Sequence, residues 1–274
     1  MSNKLYNILV PVDFTGKNKW AITKAIELSN SFNCNIHLVY VAGKNQSLFL
    51  RDSNTEVSLK KLEQIKARYQ NQLCGEGTLE ISVLRGNKQK QLANYIKQYE
   101  MDLVVTGLSK VNVVQRIISS VSISRLAKKT NIPVLAIRSG GLVCHFKKIV
   151  LPVSGEVPMR QIRFAALLGR AFKSRVYFVA LRLHADDRHQ NIIDSALEMV
   201  QSISTIPAQC FLLEGKNLAK STLQFSKKIN ADLIMVNPIK DFRLPGLWNR
   251  LTNKLLSYGS RIPVVTVASS NKEI

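Results

Sequence analysis

Lys4-Leu5-Tyr6-Asn7-Ile8-Leu9-Val10-Pro11-Val12-Asp13 is a short apolar run with a proline near its end and an acid after it. The same pattern returns as His145-Phe146-Lys147-Lys148-Ile149-Val150-Leu151-Pro152-Val153-Ser154. Three more matches follow in the same order. Asn35-Ile36-His37-Leu38-Val39-Tyr40-Val41 pairs with Arg175-Val176-Tyr177-Phe178-Val179-Ala180-Leu181, and Met101-Asp102-Leu103-Val104-Val105 with Ala231-Asp232-Leu233-Ile234-Met235. Asn131-Ile132-Pro133-Val134-Leu135 pairs with Arg261-Ile262-Pro263-Val264-Val265. The offset is 141 and 140 residues for the first two matches and 130 for the last two. The chain is therefore one unit written twice, divided as residues 1–141 and 142–274. The second copy is shorter by about ten residues after its second apolar run, where the first carries the polar segment Gly43 to Thr55.

Short, β-branched and nearly continuous apolar runs are the pattern of strands buried on both faces of a parallel sheet. The segments between them carry apolar residues at helical spacing. Trp20, Ala21, Ala25, Ile26 and Leu28 form one such face, and Leu59, Leu62, Ile65, Ala67 and Tyr69 a second. Leu92, Ile96 and Tyr99 form a third, and a last helix runs through Ile117, Val121 and Leu126 to the Ile132-Pro133 break. Strand and helix in alternation give right-handed crossovers and an α/β layer structure. The expected fold is two tandem Rossmann-like domains, each an open five-stranded parallel sheet with helices on both faces. Ligands of such sheets bind beyond the carboxyl ends of the strands at the switch point. Asp13 and Gly107 fall at such ends.

With 274 residues, 46% of them hydrophobic, the chain is long enough for two cores and too apolar for a disordered polymer. Its charge is unusual: Lys+Arg 39 against Asp+Glu 18 gives +21. The excess is +11 over residues 1–143 and +10 over 144–274, so it belongs to both copies and is no basic tail. Such a field attracts polyanions. Cys34, Cys74, Cys144 and Cys210 are scattered without a CxxC pair, which reads as buried or half-buried free thiols. The run Ile8 to Val12 is too short for a signal-peptide core. No stretch approaches the roughly 18–20 apolar residues of a membrane span. These features together predict a soluble, cytoplasmic protein.

Ile8 to Phe14, Leu38-Val39-Tyr40-Val41, Asp102 to Gly107 and Ile132-Pro133-Val134-Leu135 resemble a universal stress protein domain, and the resemblance covers nearly the whole chain as two copies. It implies the adenine nucleotide alpha hydrolase-like version of the fold and a role in stress response. Family members that bind ATP carry Gly, two residues, Gly, nine residues, then Gly-Ser or Gly-Thr. Glycines there let backbone N–H groups approach phosphates at a helix start. The first copy keeps Gly107, but Lys110 stands at the second glycine and Ser119-Ser120 or Ser120-Val121 at the final pair. By the same resemblance Asp13 would contact the nucleotide and Val41 would line the adenine pocket. In the second copy Ser154, Asn237, Lys240 and Arg250-Leu251 take the corresponding places. The site residues of a degenerate nucleotide site are thus Asp13, Val41, Gly107, Lys110 and Ser120, with no site expected in the second copy.

Other constellations point to blander roles. His184-Ala-Asp-Asp-Arg-His189 has the residue types of a metal site, but reads as a polar loop with Asp186 or Asp187 capping a helix. No G-x-S-x-G elbow exists, and His37 lies inside a strand and is expected to be packed. No catalytic residue and no metal ligand is assigned. Lys60-Lys61, Lys128-Lys129, Lys147-Lys148 and Lys227-Lys228 read as solvated helix faces, without a nucleic-acid-binding motif beside them. The loop Phe242 to Arg250 offers Trp248 as a docking residue for a protein partner. The resemblance also implies pairing of the two copies through their last strands, Val134–Ile137 and Val264–Val267, which would remove two exposed edges. The resulting expectation is a non-enzymatic stress-response protein that acts by binding and lacks a competent ATP site. Its alternatives are an ATP-binding, weakly hydrolysing switch in the first copy and a weak polyanion binder.

Overall fold

The structure, a computed structural model, describes residues 4–14, 16, 18–43, 51–108, 122–138, 145–153, 157–182, 188–237, 255 and 261–268. The chain separates into two compact units, Ser2–Ser139 and Gly140–Ile274. In the first, β1 (Asn7–Val12), α1 (Asn18–Phe32), β2 (Asn35–Ala42), α2 (Arg51–Gln70) and β3 (Leu79–Arg85) lead outward from the centre. α3 (Lys88–Gln98), β4 (Leu103–Leu108), α4 (Ile123–Thr130) and β5 (Val134–Arg138) return to the other side. All pairs are parallel, in the order β3-β2-β1-β4-β5. Right-handed crossovers place α1 and α2 on one face and α3 and α4 on the other.

The second unit repeats this order with β6 (Lys148–Pro152), α5 (Met159–Phe172), β7 (Arg175–Leu181), α6 (Arg188–Ile203) and β8 (Ala208–Leu213). α7 (Leu218–Lys228), β9 (Leu233–Val236) and β10 (Val264–Thr266) complete it, in the parallel order β8-β7-β6-β9-β10. The expected α/β architecture is the observed one. The central strands are buried on both faces, which is why their sequences run apolar without alternation.

The helix after the second strand departs from expectation. α2 starts at Arg51, inside the segment read as polar loop, and Leu59 and Ala67 of the expected face are exposed. Ser58, Leu62 and Tyr69 are buried instead. Their spacing of four and seven is the helical period, while Leu59 lies about 100° away from Ser58. Tyr99, also expected on a buried face, is the exposed C-cap of α3. Ile117 and Val121 lie outside the described residues. Cys34 is buried and Cys210 half-buried, as expected, but Cys74 is exposed. Burial pushes the Cys34 thiol up to about 12 and that of Cys210 up to about 11, so both stay protonated and inert at neutral pH.

Candidate functional site

A strand carrying proline decides where each sheet opens. Asn7 accepts through its carbonyl from the Asp102 N–H at 2.9 Å, and Tyr6 from the Asn35 N–H at 2.8 Å. Odd-numbered residues of β1 therefore turn their backbone polar groups toward β4 and even-numbered ones toward β2. Pro11 is odd, and it has no N–H to offer β4. The β1–β4 register runs through Ile8↔Leu103 and Leu9↔Val104 and ends before Pro11, while β1 stays with β2 as far as Val12↔Tyr40. The second unit repeats the device. Lys148 faces β9, since its carbonyl accepts from the Asp232 N–H at 2.9 Å. Pro152, four residues on, faces the same way, and the β6–β9 register ends at Val150↔Ile234. Each sheet thus parts at the carboxyl ends of its central strands, the place where open α/β sheets hold ligands.

Three of the residues named from sequence stand toward the carboxyl ends of strands β1, β2 and β4. Asp13 follows β1, Val41 stands near the end of β2, and Gly107 stands near the end of β4 opposite Ile137. The Asp13 carboxylate accepts from the Asn18 side-chain N–H at 3.0 Å, across the start of α1. Val41 is 7% exposed, on the face of β2 that also carries His37 and Val39. Lys110 and Ser120 lie outside the described residues, as do Ser154, Lys240, Arg250 and Trp248. So do His184, Asp186 and Asp187 of the run read as a polar loop. Among the described residues no cluster of metal-ligating side chains is present.

The structure adds residues that the sequence did not single out. Phe14 adopts a left-handed backbone, φ 57°, and lays its ring 4.5 Å from that of Tyr40, with Lys61 Nζ 5.5 Å from the Phe14 centroid. An aromatic residue directly after the strand-ending acid was the available signal. Elsewhere in the first unit the start of α4 is tied to α3, for the Ser122 N–H donates to Gln89 Oε1 at 3.1 Å. Ser122 Oγ in turn accepts from the Arg125 N–H at 3.3 Å as the N-cap.

At the other end of the first sheet His37 is packed, as expected, but in polar company. His37 Nδ1 and Tyr95 Oη lie 3.0 Å apart, and Tyr95 Oη lies 3.0 Å from Ser82 Oγ. The Glu80 carboxylate is 3.6 Å from the imidazole. Burial holds the His37 pKa below its usual 6.5, and Glu80 opposes that shift in part. A histidine whose folded pKa is depressed binds fewer protons folded than unfolded, so stability falls as pH drops below about 6.5. Urea midpoints of the parent protein should therefore fall between about pH 7.5 and about pH 5.5, and less steeply in His37→Gln. Equal slopes for the two proteins would refute the assignment.

A universal stress protein family model matches residues 5–138. By this match residues 5–138 belong to the universal stress protein family. Comparison with curated proteins returns no match. Among solved structures, a universal stress protein from Archaeoglobus fulgidus superposes with a TM-score of 0.79 at 11% identity, covering 99% of each chain. A functionally unknown protein from Pseudomonas aeruginosa superposes with a TM-score of 0.60 at 12% identity, over 97% of this chain and 93% of that one. A putative universal stress protein from another strain of that species gives 0.58 at 12%, over 97% and 94%. At these identities the structural likeness carries the fold. It extends the universal stress protein fold over both units, and the family membership supports a role in stress response. Among the described residues no helix is long and apolar enough to cross a membrane.

Proposed function

We propose that this universal stress protein acts in the cytoplasm by binding rather than catalysis, and that its inherited nucleotide site is not competent for ATP. The observation that carries the reading is the mismatch between frame and chemistry at the crevices. Pro11 and Pro152 open both sheets in the same way, yet only the first unit places an acid and a glycine there. Even in that unit Lys110 replaces a glycine of the phosphate loop, adding a side chain where backbone would have to approach a phosphate. In the second unit Ser154 and Asn237 replace both groups.

The placement of Asp13, Val41 and Gly107 toward the carboxyl ends of β1, β2 and β4 favours a second reading, an ATP-binding switch confined to the first unit. Native mass spectrometry of freshly purified protein separates the two. No bound nucleotide is expected, and the mass of Asp13→Ala should differ only by the substitution. A competent site with ATP at a hundredfold excess over its Kd would add about 2.7 kcal/mol of stability, several degrees of Tm. Here about 1 mM ATP with magnesium should move Tm by less than about 1 °C. Full nucleotide occupancy that disappears in Asp13→Ala would establish the switch instead. A protein partner at the Trp248 loop belongs to the same proposal and rests on the sequence.

A further inference from the structure

β3 forms one edge of the first sheet, with β2 on its inner side. The Ile36 N–H donates to the Thr78 carbonyl at 2.8 Å, and the Gly86 N–H to the Ala42 carbonyl at 2.9 Å. Even-numbered residues of β3 therefore turn their backbone groups toward β2, and odd-numbered ones turn theirs outward. The N–H and C=O groups of Leu79, Ile81 and Val83 point away from the sheet, and among the described residues no strand pairs with that side. Sheets blunt such edges with lysine, proline or a bulge. β3 has none of these. Leu79-Glu80-Ile81-Ser82-Val83-Leu84-Arg85 stays in register with Ile36 to Ala42 over its whole length.

An open edge accepts a foreign strand or its own copy, and here the charges favour the copy. Glu76 stands before β3 and Arg85 ends it, both exposed. Antiparallel pairing of two copies, with Ile81 opposite the partner's Ile81, sets Arg85 beside the partner's Glu76. Leu79 then faces the partner's Val83, apolar against apolar, and Glu80 faces the hydroxyl of the partner's Ser82. The three outward residues exchange about six backbone hydrogen bonds across a two-fold axis. α2 continues the match. It packs on β3, where Thr55 Oγ1 accepts from Arg85 Nε at 3.0 Å. Its opposite flank carries Lys61, which reaches Phe14 beyond β1. Leu59, Glu63 and Lys66 follow Thr55 at about 40°, 80° and 20° around the helix, hence on the outer side. The two-fold sets this flank against its copy, head to tail, and covers Leu59, which is 38% exposed. Glu63 and Lys66 give each flank both signs of charge. We infer that the outer edge of β3 is a docking surface for a second copy of this chain, which extends the first sheet across a two-fold axis. The inference is independent of whether ATP binds at the crevice.

Sedimentation velocity of the full chain from about 1 to about 200 μM tests it, at about 0.3 M salt to screen repulsion between two chains of +21. The parent should pass from monomer to dimer with a micromolar Kd, since a strand pair and one helix flank make a small interface. Ile81→Pro should weaken the dimer at least about tenfold. It removes the central N–H, and proline is tolerated where the N–H of an edge strand faces solvent. Leu212→Pro makes the same change on the outer side of β8 and should leave Kd within about twofold. Arg85→Glu should weaken the dimer about fivefold, and Glu76→Arg added to it should restore the parent Kd. That pair removes no outward N–H, and it replaces Ile81→Pro if circular dichroism shows the proline variant unfolded. A parent that stays monomeric at about 200 μM would overturn the inference. So would a dimer that survives both Ile81→Pro and Arg85→Glu, or one lost in Leu212→Pro instead.

Discussion

Phe178→Ala is expected to cost about 3–5 kcal/mol, because a large ring is removed from a fully buried site that cannot collapse around the void. Phe178 lies in the middle of β7, in register with Leu151 of β6 and Cys210 of β8, so strands flank it on both sides. Its face of the sheet is opposite that of Tyr177 and Val179, which pack into the cluster with Val150 and Ala231. A loss of this size is a large fraction of the roughly 5–15 kcal/mol that holds a domain together. Urea unfolding should show the main transition shifted strongly to lower denaturant. The repeat supplies the control, since the first copy builds the equivalent position with Leu38, which is also fully buried. Phe178→Leu should recover most of the loss, leaving about 1.5 kcal/mol or less. A shift under about 1 kcal/mol for Phe178→Ala would mean that the second core is loosely packed.

The fold was legible because its determinants are local and written twice. Apolar runs such as Ile8-Leu9-Val10 and Ile149-Val150-Leu151 had to be central strands, and their order set the topology. What escaped was set by neighbours far along the chain. α2 is so polar that its first turn looked like loop, and only contact with the sheet selects Ser58, Leu62 and Tyr69 as its inner face. The Phe14–Tyr40–Lys61 contact joins a residue after β1 to one on β2 and one on α2, and no spacing in the sequence brings them together. Only the address was legible, since Asp13, Val41 and Gly107 stand at or just beyond the carboxyl ends of β1, β2 and β4. Its cause, Pro11 in the odd-numbered register, required knowing which way the backbone faces.

Alignment of the copies also shows where a common frame carries different chemistry. The registers Leu38↔Ile81 and Phe178↔Cys210 make Ser82 equivalent to Phe211, and the Asn caps of α3 and α7 make Tyr95 equivalent to Phe225. His37 corresponds to Tyr177. The second unit thus fills this place with aromatic rings, Phe211 and Phe225 being 5.0 Å apart, where the first has a hydrogen-bonded His-Tyr-Ser chain. The frame does not require the polar version. Only the first unit has a histidine there, its pKa held below the usual 6.5 by burial, and the pH response described above is its consequence.

Asp102→Ala is expected to cost about 3 kcal/mol and to leave nucleotide content unchanged. The Asp-Leu-Val and Asp-Leu-Ile motifs of the two copies match so closely that they invite a functional reading. The structure shows a different reason. Asp102 Oδ2 accepts from the Tyr6 N–H at 2.7 Å and the Asn7 N–H at 3.1 Å, while its own N–H donates to the Asn7 carbonyl at 2.9 Å. Asp232 does the same work with fewer bonds, its Oδ2 accepting from the Lys148 N–H at 2.9 Å and its N–H donating to the Lys148 carbonyl at 2.9 Å. Each carboxylate stitches the start of the central strand to its neighbour, at the end of the sheet opposite the crevice. That placement matters because the same two strands part a few residues later at Pro11 or Pro152, so little else holds them in register. Hydrogen bonds to a charged acceptor are worth about 1.5–3 kcal/mol each, toward the low end where water competes, as at half-buried Asp102. Two such bonds at Asp102 against one at Asp232 predict about half the loss for Asp232→Ala. Asp102→Asn keeps an acceptor without the charge and should fall between alanine and the parent. Urea midpoints of the three variants check the order, and an Asp102→Ala protein as stable as the parent would remove the stitch and reopen a functional reading of the motif.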